Sequence, residues 1–180
     1  MARWDVAGWT DLGGALDAVD PQDPNATVPG SPFLSLDATG APFAMWLAFP
    51  LTGETLYRSA RWDGSAWIRT GGPAPVPRGR SAYLDFPPGP SEPIALVGEV
   101  SPFVHDMRVE TWDGTSWSPL AAPPPLFPAH VAVDGAGQIW LAGFPGTALR
   151  WDGAAWVPAG SFTFANDLHI AARGPDVAVA

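Results

Sequence analysis

His105, His130, His169, Arg78 and Arg80 are the residues of this 180-residue chain whose chemistry could serve a ligand. Imidazole ligates metals and exchanges protons near neutral pH. His130 and His169 each open or nearly open an apolar run, "HVAV" and "HIAA". They stand at equivalent places in their segments, so they could converge. Each ring could equally bond to a neighbouring backbone group. Arg78 and Arg80 alternate, so on a strand both guanidiniums face one side. They could clamp a carboxylate, or pair with surface acids. Asn166 and Asp167 add an amide and a carboxylate just before His169. In "DPQDPNAT", Asp20, Asp23 and Asn25 could offer oxygens to calcium. That stretch lacks the glycine and distal Glu of an EF-hand loop, and its prolines suit plain turn chemistry.

Much chemistry is excluded. There is no cysteine, hence no disulfide, thiolate metal site or Cys nucleophile. No G-x-S-x-G elbow and no phosphate-cradling glycine loop occurs. The net charge is −9 and every base is Arg, which disfavours a nucleic-acid partner. No apolar run approaches the ~20 residues of a membrane span. The start "MARWDVAGW" does not look like a signal peptide, and the compartment stays open. We expect no catalytic constellation, no cofactor and no metal.

These residues must be positioned by a repeat. "RWDVAGW" (3–9), "RWDGSAW" (61–67), "TWDGTSW" (111–117) and "RWDGAAW" (150–156) are copies of one phrase. Their first tryptophans are 58, 50 and 39 residues apart. Such spacing, with variable loops, is that of a propeller blade. "MWLAF", "IALVG", "IWLAG" and "VAVA" also align, each after a turn-rich piece. Each unit therefore reads as four strands in consecutive hairpins. Pro and Gly make up about a quarter of the chain, which suits short strands and turns. "DLGGALDAVD" is the nearest thing to a helix, and its paired glycines argue against one.

Asp-Gly between apolar runs signals a two-residue type I′ hairpin. On that expectation Asp63 and Gly64 are the central residues, Trp62 pairs with Ser65, and Trp67 lies diagonal to Trp62. The tryptophans would then pack one sheet on the next. Asp37, Asp85 and Asp134 each fall at the first turn of their unit and are expected to cap it. Trp46 and Trp140 are expected in the core.

The chain starts at the third strand of one unit and stops at the second strand of another. Pairing these halves would complete a fourth unit and remove exposed edges. The expected fold is all-β: a four-bladed β-propeller in a single domain, closed by a composite blade. Its blades are 1–16 with 161–180, 31–72, 80–121 and 128–160. An excerpt from a longer array is the alternative.

The pattern resembles the kelch-type repeat, on "SWSPLAAPPPLFPAHVAVDGAGQIWLAG" and "AWIRTGGPAPVPRGRSAYLDF". Its paired glycine is reduced to "AG", "VG" or "AF", and its Asp-Gly turn is shorter than usual. The resemblance implies a propeller with a binding surface and no particular ligand. The expected function is non-catalytic binding of a glycan or a protein loop at the channel mouth, by Arg78, Arg80, His105, His130, Asn166, Asp167 and His169. The other readings are a structural or assembly module or fragment of a larger propeller protein, and a small hydrolase. A monomer is favoured, with a homo-oligomer possible.

Overall fold

The computed structural model describes residues 2–5, 8–11, 26–29, 32–50, 54–73, 75, 81–87, 93–100, 105–126, 129–163, 170–173 and 176–179. Among them the structure is all-β and every strand pairing is antiparallel. No helix among the described residues is long and apolar enough to cross a membrane. The glycine-rich 11–20 stretch falls almost wholly outside the described residues.

Strands β1 (Ala2–Asp5) and β2 (Gly8–Asp11) form an N-terminal hairpin. The first sheet holds β3 (Ala26–Pro29), β4 (Phe33–Leu36), β5 (Pro42–Pro50), β6 (Leu56–Trp62) and β7 (Trp67–Gly71). β3 and β4 divide one edge of the long β5, and β6 takes the other. The second sheet runs in chain order through β8 (Ser81–Asp85), β9 (Ile94–Val100), β10 (His105–Trp112) and β11 (Trp117–Pro119). The third does the same through β12 (Ala129–Val133), β13 (Ile139–Gly143), β14 (Thr147–Trp151) and β15 (Trp156–Ser161). β16 (Ile170–Arg173) and β17 (Asp176–Val179) form a C-terminal hairpin beside β12.

The strand period of two builds the interfaces. On β9, Ala95 and Val97 join Phe43, Met45 and Tyr57 of the first sheet. Ile94 and Leu96, on the other face, join Val131, Val133, Ile139 and Leu141 of the third. The middle sheet is thus buried on both sides at β9, which is apolar without alternation from Ile94 to Val97. Each buried Val, Leu, Ile, Phe or Met side chain here contributes about 1.5–3 kcal/mol. Tyr57 Oη donates to the Gly98 carbonyl at 3.0 Å and stands 3.1 Å from its N–H, tying the first sheet to the second.

The turn expectation is corrected. Trp62 pairs directly with Trp67, Trp112 with Trp117 and Trp151 with Trp156. Trp4 and Trp9 share that register. The central residues are Gly64-Ser65, one place later than Asp-Gly would have it. Gly64, Gly114 and Gly153 have φ of 105°, 96° and 102°, and no non-glycine residue among those described has positive φ. A type I′ turn needs two positive φ values; with one, glycine takes the first central place. Asp63 is freed to flank the turn, where its Oδ1 accepts the N–H groups of Ser65 and Ala66. The indole pairs are tilted at 53–59°, with centroids 5.4–5.8 Å apart.

The two terminal hairpins are separate two-stranded sheets, with no ladder between them among the described residues.

Candidate functional site

Three aspartates hold the sheet tips. Asp113 Oδ1 accepts the N–H groups of Thr115 and Ser116 and the Thr115 hydroxyl, each at 2.8 Å. Those bonds, the Ser116 N–H foremost, lower its carboxyl to about 2. Asp63 is lowered by the N–H groups of Ala66 and Ser65 and by the Ser65 hydroxyl. Asp152 is lowered by the N–H groups of Ala155 and Ala154.

The first-turn aspartates differ among themselves. Asp37 caps its turn, accepting the N–H groups of Thr39 and Ala41 at 2.8 and 2.9 Å. Its second oxygen accepts Arg61 Nε. Burial raises its carboxyl, but the Thr39 hydroxyl, the Ala41 N–H and Arg61 outweigh that and leave it lowered. Asp134 caps its turn through Ala136 and Gln138 and also takes the Trp140 indole N–H at 3.1 Å. Asp85 instead reaches across to the third sheet. Its Oδ2 accepts the Val131 N–H at 2.9 Å and stands 3.3 Å from His130 Nδ1.

One open cleft of about 380 Å³ lies between the first and second sheets. Arg61, Asp63, Ile68, Arg69 and Thr70 line it from the first sheet, and Trp112, Gly114 and Thr115 from the second. Arg61 reaches it already tethered: Nε to Asp37 and Nη2 to the Thr39 hydroxyl at 3.0 Å. Thr70 is held by the Ser59 hydroxyl at 2.7 Å. Thr115 is held by Asp113. The Arg69 guanidinium lies 5.8 Å from the centre of the Trp46 ring. The cleft thus presents tethered guanidinium, carboxylate and hydroxyl groups beside an apolar wall of Ile68 and Trp112. Side-chain entropy that a ligand would otherwise have to overcome is already removed.

Of the residues expected at a channel mouth, His130 is half-buried and pairs with Asp85. His105 starts β10, and its side chain is outside the described residues. Arg78, Arg80, Asn166, Asp167 and His169 lie outside them altogether, as do the weak metal candidates Asp20, Asp23 and Asn25. Among the described residues no group of three or more His, Asp or Glu is close enough to hold a metal ion. In a meander, successive connections alternate between two rims. The cleft is at the tip between the third and fourth strands, so it opens on the rim opposite the one expected. Sequence reasoning passed over Arg61, Thr70 and Thr115. The available signal was Arg at the head of the 61–67 copy and Thr just after the Gly of the 111–117 copy; nothing in the sequence marked Thr70. Trp46 is buried, as expected, and Trp140 is half-buried.

No protein-family model and no curated protein matches the chain. Among solved structures, it is similar to a fucose lectin from Kordia zhangzhouensis, determined in complex with methyl-fucoside. The two are 18% identical over 74% of this chain and 100% of that one, with a TM-score of 0.42.

Proposed function

We propose that the chain is a non-catalytic glycan-binding module, and that a sugar occupies the cleft between the first and second sheets. The observation that carries this reading is the cleft's lining. Tethered donors and acceptors (Arg61, Asp63, Thr70, Thr115) surround it beside Ile68 and Trp112. A sugar ring offers hydroxyls at its rim and C–H groups on its faces, and matches such a mixture. The tethers through Asp37 and Asp113 keep those groups in place before binding.

The architecture we read for this module is a closed propeller of four units in one domain, built from kelch-like repeats. Three antiparallel sheets, of five, four and four strands, stack in chain order and the C-terminal hairpin lies beside β12, which supports that arrangement. The fourth unit is then the two terminal hairpins together. The channel-mouth set of Arg78, Arg80, His105, His130, Asn166, Asp167 and His169 is the second candidate surface, for a glycan or a protein loop. The His130–Asp85 pair across two sheets favours it.

A glycan array on the purified chain, followed by calorimetry on the best ligand, tests the reading. Thr115→Val and Arg61→Gln are each expected to weaken binding about tenfold, the loss of roughly 1.4 kcal/mol, with the circular dichroism unchanged. Retention of no glycan, or full affinity in both variants, would sink it.

A further inference from the structure

One interaction recurs in this fold and is complete twice. Trp117 Nε1 donates to the Ser59 hydroxyl of the first sheet at 3.1 Å. Trp156 Nε1 donates to the Ala121 carbonyl, just past the end of the second sheet, at 2.8 Å. Each is the second tryptophan of its phrase, and each donates to the unit that precedes it in the chain. Trp67 is the equivalent residue of the first sheet. It is 7% exposed, and its Nε1 has no hydrogen-bond partner among the described residues. A buried donor left unmade is costly, and native structures rarely tolerate one.

The face that carries it is defined. Trp67 packs with Ala44, Trp46, Ala60 and Trp62. By alternation along β5, this is the side turned away from Phe43, Met45 and the second sheet. The phrase that precedes Trp67 in the chain is the one in the N-terminal hairpin. That hairpin has the same register, Trp4 opposite Trp9 and Asp5 opposite Gly8.

We infer that this face of the first sheet is the seat of the chain's own β1–β2 hairpin, which supplies the acceptor for Trp67 Nε1. The first-to-second and second-to-third interfaces are both built this way, so the N-terminal hairpin continues an existing series. The inference rests on the ring order proposed above and is independent of glycan binding. A second copy of the chain and a small ligand are the competing occupants.

Nuclear magnetic resonance on the intact chain decides between them. The Trp67 indole resonance is assigned by its loss in Trp67→Phe. The expected result is nuclear Overhauser contact from that proton to the β1–β2 hairpin of the same molecule. A mixed sample of differently labelled chains separates contacts within a chain from contacts between chains. Contacts only between chains, or none to that hairpin, would overturn the inference. In a Trp4→Ala/Trp9→Ala variant, Trp67 indole exchange should accelerate about tenfold or more, while Trp117, bonded to Ser59, changes less than about twofold. Equal protection of Trp67 before and after would also overturn it. If that variant does not fold, the contacts in the unmodified chain decide alone. A failed glycan screen would leave this outcome untouched.

Discussion

Trp117 donates its indole N–H to the hydroxyl of Ser59, 58 residues earlier and on the neighbouring sheet, at 3.1 Å. Ser59 is 1% exposed. It also donates to the Gly71 carbonyl at 2.8 Å and stands 2.7 Å from the Thr70 hydroxyl. One buried hydroxyl therefore closes the β6–β7 pairing, anchors a cleft residue and ties two sheets together.

That network predicts coupling. Ser59→Ala leaves the Trp117 N–H without its acceptor, and Trp117→Phe removes the donor. A double-mutant cycle by urea denaturation should give an interaction of about 1 kcal/mol between them. Additive losses would mean that the bond contributes nothing.

Two glycines should respond differently to alanine. A Cβ at Gly64 meets nothing within 4 Å, but φ is 105°. Gly64→Ala should cost about 1–2 kcal/mol, from backbone strain alone. A Cβ at Gly98 would lie 2.3 Å from the Asp106 carbonyl oxygen and 2.8 Å from Met107 Sδ. Backbone cannot yield as a side-chain tip can, so Gly98→Ala should cost about 3 kcal/mol or prevent soluble expression. Thermal melts showing Gly64→Ala as the worse variant would contradict both assignments.

Acid should weaken the sheet tips through their aspartates. The Asp113 carboxyl is at about 2 in the folded chain, below the ordinary 3.8. A group depressed on folding stabilises above its unfolded value, and that stabilisation is lost as pH falls through the folded value. Asp37, Asp63, Asp134 and Asp152 are lowered in the same direction. Stability should therefore be steady above pH ~5 and fall between about 4 and 2. Asp113→Asn, which keeps an acceptor but no charge, should flatten part of that fall in denaturation midpoints measured across the range. An unchanged slope would show that the charge at Asp113 is immaterial.

The legible part was whatever repeats along the chain. The phrase around Trp62 and its copies marks the outer hairpins, and "IALVG" and "IWLAG" mark central strands, because strand and turn chemistry acts over two to six residues. The Asp-Gly pair was misplaced by one position. Type I′ and glycine-first turns use the same dipeptide, and only the carboxylate's preference for the Ser65 and Ala66 N–H groups separates them. The cleft was not legible. The place of Arg61 in the phrase does not reveal its partners, and it becomes a fixed group only because β4 and β6, by flanking β5, bring Asp37 and Thr39 to it.

By itself, then, the sequence determined an all-β chain of repeated hairpins, with a turn at each Trp-Asp-Gly copy. These are local consequences of side-chain shape and backbone sterics. The tertiary structure alone decided which face meets which. Ser59 meets Trp117, Asp85 meets Val131 and His130, and Arg61 and Thr115 share a cleft. Such contacts join residues many tens of positions apart, and their partners are chosen by how sheets stack, which no short stretch of the chain encodes.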